Sequence, residues 1–343
     1  MRPPGPARLL LAAALAGAAC AAAPALAQAP STAYQVLATA KVGSQPGKLT
    51  DGYGAVWTLN GDGTVSRVDT TTGQVRTTSV GPNPRDIRAG YNRIWVLRST
   101  KSTATVVRLN TSTGAKTGSA ITIPLGTTTS VGSTVNGANT IGIGSGFVWV
   151  AGVRTWQKLA SIDPDDATVV VKTWPIPQAF TAASSALWMV TPNQQTLQKR
   201  SPSSLKILKS FGVGAATGGV AGTLSLVYGA NSLWLSQSTP NDLGQINKIS
   251  PSAGLVSGAV SKGLDIGLSC TSAGAGAVWA AVAADAASGA PAELVKLSQA
   301  DLSEVARGTL PPGAAPGPIR CVLAGGGLVY VTDGVGSVLT VQP

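Results

Sequence analysis

Apolar and polar positions alternate along this chain in short runs, and the same run keeps returning. In Gly54–Gly73, GAVWTLNGDGTVSRVDTTTG, an apolar stretch centred on Trp57 gives way to a polar loop, a second alternating stretch and a turn. Alternation over about 4–8 residues reads as a half-buried strand. The first full copy has four such pieces: Lys48–Asp51, Ala55–Leu59, Val65–Val68 and Val75–Val80. Gly, Asn, Asp and Pro punctuate them, as turns require. The apolar–Trp–apolar core recurs as RIWVL around Trp95, FVWVA around Trp149, ALWMV around Trp188, SLWLS around Trp234 and AVWAA around Trp279. A seventh copy, LVYVT, puts Tyr330 in the Trp slot. Consecutive aromatics lie 38 to 54 residues apart. Self-similarity at that period marks propellers and solenoids. Four strands in each of seven repeats predict an all-β fold, a seven-bladed β-propeller of four-stranded blades.

The aromatic slot has a packing reason. Blades fan out radially, so a large side chain must fill the wedge between neighbours, and an aromatic buries about 150–250 Å². Trp57, Trp95, Trp149, Trp188, Trp234, Trp279 and Tyr330 are therefore expected as blade core. Before the first full repeat, Tyr34–Val42 (YQVLATAKV) reads as one more strand, while the last repeat, Arg320 to Gln342, has room for three. Pairing the first strand onto the last blade completes it and removes two open edges. Cys270 and Cys321 each lie nine residues before their repeat's aromatic, so they occupy equivalent places on neighbouring blades. They read as a disulfide or as two buried thiols. Bridging requires a Cα separation of about 4.4–6.8 Å, which sequence does not show.

Residues 1–27 read as a secretory leader: Arg2 and Arg8, an apolar run from Leu9 to Ala23, and the small-x-small site Ala25-Leu26-Ala27, with cleavage expected before Gln28. Cys20 has Gly17 three residues before it, where a lipoprotein signal usually carries Leu. No later segment is long and apolar enough to span a membrane. The expected mature protein is residues 28–343, a single propeller domain, exported to the periplasm or secreted, and monomeric.

The third strands end in Arg67-Val-Asp69, Arg108-Leu-Asn110, Ser161-Ile-Asp163, Lys199-Arg-Ser201 and Lys248-Ile-Ser250. Asp, Asn or Ser before Pro, Thr or Gly is turn chemistry. Asp163-Pro164-Asp165-Asp166 belongs with these turns, since it lacks the alternating ligands and terminal Glu of a calcium loop. The run from Ala55 to Val75, followed by Val80-Gly81, Asn83-Pro84, Ile87 and Gly90, resembles the repeat of bacterial propellers related to virginiamycin B lyase and to the YVTN- and NHL-type proteins. The resemblance spans residues 34–343 and implies the scaffold. In the lyase family a His base, acidic partners and magnesium open a cyclic peptide. This chain has no His, and its two Glu, Glu293 and Glu304, do not fall where that pattern places its acids.

The absence of His removes most acid–base, nucleophilic and zinc chemistry. No cofactor, metal or catalytic residue is assigned. Formal net charge is +11, or +9 once Arg2 and Arg8 leave with the leader. A surplus of that size attracts anions. The cations carry no interleaved aromatics of a nucleic-acid module. By register, the leading ends of the innermost strands place Lys48, Arg85, Arg88, Asn139, Gln178 and Arg320 at the mouth of the central channel, and the loop between second and third strands adds Arg154 and Trp156. The expected role is non-catalytic binding of an anionic or polar ligand at this mouth, with an unknown protein or an anionic cell-envelope polymer as partner. A lyase-like enzyme with His-free chemistry and an extracellular partner of a membrane sensor are the alternatives.

Overall fold

The computed structural model describes residues 33–343, apart from 101–102, 125–137, 154–155, 184, 192–195, 214–223, 239–242, 253, 263–269, 283–290, 312–313 and 315–317. The expected leader lies outside the described residues. Seven four-stranded antiparallel sheets follow one another along the chain, each ordered from its innermost strand outwards. The innermost strands are Pro46–Gly52, Pro84–Gly90, Thr140–Gly144, Ala179–Ala183, Leu224–Gly229, Ser272–Gly274 and Cys321–Gly325. Each contacts the next, and the seventh contacts the first, so the ring is closed. The seventh sheet takes its outermost strand, Val36–Lys41, from the N-terminus, paired antiparallel with Ser337–Val341. Tyr34, just ahead of that strand, packs edge-on against Trp279 with ring centroids 5.8 Å apart, and its amide bonds Thr309 O. The closing strand is thus anchored on blade six as well as blade seven.

The seven aromatics are the wedges. All are buried, Trp57 to Trp279 at 0–4% exposure and Tyr330 at 4%. Each packs into the blade that follows: Trp57 with Ile87 and Ile94, Trp149 with Phe180 and Leu187, Trp234 with Val278. Tyr330 packs on Leu49 and Val56 of blade one.

Trp also brings an N–H, which five of the six indoles use. The indole Nε1 donates to the carbonyl five residues back, at the end of the preceding inner strand. Trp95 bonds Gly90, Trp149 bonds Gly144 and Trp234 bonds Gly229, each at 2.9 Å, while Trp188 bonds Ala183 at 3.2 Å and Trp57 bonds Gly52 at 3.4 Å. The Trp279 Nε1 is buried without a partner. Opposite five of the six indoles, across the strand pair, stands a cation: Arg67, Arg108, Lys199, Lys248 or Lys296. Four of these five lie over the ring at 5.4–5.9 Å; Arg108 is the exception. A cation there is attracted by the ring face. Two residues beyond each cation is the turn acceptor. Asp69 Oδ1 takes the amides of Thr71 and Thr72, and Asn110 Oδ1 those of Ser112 and Thr113. Asp163 Oδ1 takes those of Asp165 and Asp166, so that acidic run is a turn.

Candidate functional site

The innermost strands surround a central cavity of about 410 Å³, to which all seven contribute. Its polar lining includes Lys48, Asp51, Arg88, Thr181, Ser225 and Ser272. Three blades meet at Asp86. This carboxylate is fully buried and accepts Lys48 Nζ at 3.1 Å from blade one, Arg88 at 3.3 Å on its own strand, and the Ile141 amide at 2.8 Å from blade three. Desolvation pushes the Asp86 carboxyl up, but Arg88, Lys48 and the Ile141 amide outweigh it and hold it below the usual carboxylate range. The cations are only partly consumed, since 40% of the Lys48 side chain and 36% of that of Arg88 stay exposed.

Of the mouth residues read from sequence, the structure brings Lys48 and Arg88 together in the cavity. Arg85 is half-buried and Arg320 exposed; both stand outside the cavity lining. A Cβ added at Gly334 would lie 2.8 Å from Arg320 Cγ, so the Arg320 stem runs over that glycine. Asn139 secures a loop: its Nδ2 donates to Val153 O at 2.9 Å and its Oδ1 accepts the Val153 amide at 2.8 Å. The Gln178 backbone amide bonds Val190 O, and the residue is half-buried. Trp156 corrects the loop expectation: it opens the third strand of blade three, Trp156–Ile162, opposite Gly152, because the connection from the second strand is short. Arg154 lies outside the described residues.

Cys270 and Cys321 line the cavity and form the disulfide, with S–S 2.06 Å and Cα–Cα 4.5 Å. It ties blade six to blade seven beside the seam that the N-terminal strand closes. Glu293 and Glu304 both hold Arg307, at 3.1 and 2.9 Å. Among the described residues no three His, Cys, Asp or Glu side chains converge as a metal site, and no helix is long and apolar enough to cross a membrane.

Sequence reasoning missed Asp86 as a hub, although its position between two cations on a leading strand end, Arg85-Asp86-Ile87-Arg88, carried the signal. It also missed the cation opposite the indole, which was visible two residues before every turn acceptor but one.

Closed ring, wedges and polar axial cavity define a seven-bladed β-propeller. No family model matches the chain, and no curated protein matches it. Among solved structures it is similar to the WD40 domain of Neurospora crassa Pan2, at 10% identity over 92% of this chain and 98% of that one, with TM-score 0.63. It is also similar to the WD40 β-propeller domain of Doa1, at 14% identity over 91% and 97% of the two chains, with TM-score 0.62. At such identity the likeness is one of fold alone, and function has to be argued from the site.

Proposed function

We propose that this chain is an exported, non-catalytic binding propeller whose working face is the mouth of the channel, and that its ligand is an anionic or polar polymer or protein segment. The observation that carries this reading is the cation set on the leading ends of the inner strands. Lys48, Arg85, Arg88 and Arg320 stand there, against Asp86 alone among the acids of the described leading ends. Asp86 is wholly buried, while the cations it holds stay open to solvent, so the field at the mouth is positive. The disulfide supports export, because such bonds persist in oxidising compartments. The repeat phrase supports a place near the YVTN- and NHL-type propellers.

The test is titration of the folded protein with poly-glutamate. Saturable binding that weakens with added salt is expected. Arg85→Glu with Arg320→Glu, the first half-buried and the second exposed, should reduce affinity by about tenfold or more if each charge contributes about 1 kcal/mol. Absence of binding, or binding indifferent to the two reversals, overturns the reading.

A further inference from the structure

The seam between blades seven and one is built differently from the other six. Its wedge is Tyr330, and a phenol has neither the breadth of an indole nor its N–H. Beside it, on the exit face, opens a pocket of about 280 Å³ lined by Asp51, Gly52, Thr70, Gly325, Gly326 and Tyr330 among others. The Asp51 carboxylate lies over Gly325 so closely that a Cβ at that position would collide with its Oδ2. Any side chain at 325 would fill the cradle.

Two polar groups face this space, neither with a side-chain partner among the described residues. Asp51 forms no ion pair among the described residues. The Tyr330 hydroxyl has no hydrogen-bond partner among them either. The residue Asp51 reaches the channel and is exposed, yet desolvation pushes its carboxyl up, against a hydrogen bond from its own backbone amide. Desolvation also pushes the Tyr330 phenol up, with the charge of Asp51 adding to it. Since the folded state disfavours the Asp51 anion, replacing it does not remove a stabilising charge. A carboxylate without an ion-pair partner, lying over a glycine whose side chain would fill the pocket, points to a ligand.

We propose that this pocket takes a primary alkylammonium group, as on a lysine side chain. Asp51 is the counter-ion and Tyr330 the second acceptor. An ammonium carries three donors and no acceptor, which suits a pocket offering a carboxylate, a phenol oxygen and the Thr70 hydroxyl oxygen. The site is separate from the cationic mouth in both face and sign, so either proposal can fail without the other.

The experiment is a titration of the folded protein with n-butylammonium and, separately, with n-butanol, following the backbone amides of Gly325 and Gly326 by NMR. The ammonium should shift them saturably and the alcohol should not. Asp51→Asn should weaken the ammonium by about tenfold or more, the factor for one charge-assisted hydrogen bond, while melting at the same or a higher temperature. Tyr330→Trp, which restores the indole of the other seams, should fill the pocket and weaken binding likewise. No saturable shift in the unaltered protein, equal response to the alcohol, or full binding by folded Asp51→Asn each overturns the proposal.

Discussion

The phenol of Tyr53, in the turn after the inner strand of blade one, accepts a 2.7 Å hydrogen bond from the backbone amide of Asn92 in the corresponding turn of blade two. Tyr53 and Asn92 both have positive φ, 56° and 53°. An aromatic residue at positive φ is strained and persists only when its surroundings hold it. Tyr91, equivalent to Tyr53 one blade on, has φ 50° and meets the amides of Gly146 and Phe147 in blade three. Blades one, two and three are therefore stitched turn to turn on the exit face.

Tyr53→Phe keeps the ring and removes only the acceptor, so it should cost about 0.5–1.5 kcal/mol. The Tyr228 hydroxyl, also on the exit side, has no partner among the described residues, so Tyr228→Phe should leave stability unchanged. Urea unfolding of the two variants checks the difference. Equal stability for both would mean that the bond contributes nothing.

The indole clasp makes the wedges unequal. Trp95 donates to Gly90 O at 2.9 Å, whereas the buried Trp279 Nε1 has no partner. Each Trp→Phe substitution loses similar volume, but only Trp95→Phe also removes a hydrogen bond to a strand-end carbonyl. Trp95→Phe should therefore be more destabilising than Trp279→Phe by about 1 kcal/mol, read from denaturant midpoints at constant slope.

Asp86 links three blades, and removing it leaves the buried Ile141 amide without its acceptor while water takes up the half-open Lys48 and Arg88. Asp86→Ala should cost about 1–3 kcal/mol. Its carboxyl is held below the usual range in the fold, so its contribution is full above the unfolded pKa of about 3.9 and disappears as pH falls through the lower folded value. Unfolding midpoints measured from neutral pH down to strong acid should fall more steeply for the unaltered protein than for Asp86→Asn. Parallel curves would refute the assignment.

The disulfide closes a sequence separation of 51 residues. By loop entropy, its reduction should lower stability by about 4 kcal/mol. Cys270→Ala with Cys321→Ala, compared with the oxidised protein in thermal unfolding, measures this. An unchanged melting temperature would show that the blade ring alone keeps the seam closed.

Most of the architecture was legible because a propeller repeats its structural residues. Trp57 and its counterparts, the Asp69-type turns, the closing strand Tyr34–Val42 and the paired cysteines all reflect local pattern multiplied along the chain. The site was less legible because it depends on which side chains meet across blades. Lys48 and Asp86 lie 38 residues apart, and only the closed ring brings them to 3.1 Å. Asn139 looked like a free mouth residue but is consumed by Val153, since a loop must satisfy its own amides first. Part of the positive surplus likewise serves packing, with Arg67, Lys199, Lys248 and Lys296 laid over indoles.

That last point sets the decisive comparison, because a basic protein binds polyanions through net charge alone. Arg85→Glu with Arg320→Glu, and Lys116→Glu with Lys206→Glu at exposed positions away from the mouth, change net charge equally. Poly-glutamate affinity of the two folded double variants at one fixed salt concentration separates the cases. If the mouth is the site, the first pair loses about tenfold or more and the second less than about twofold. Equal losses would show that the surplus charge, not the channel mouth, does the binding.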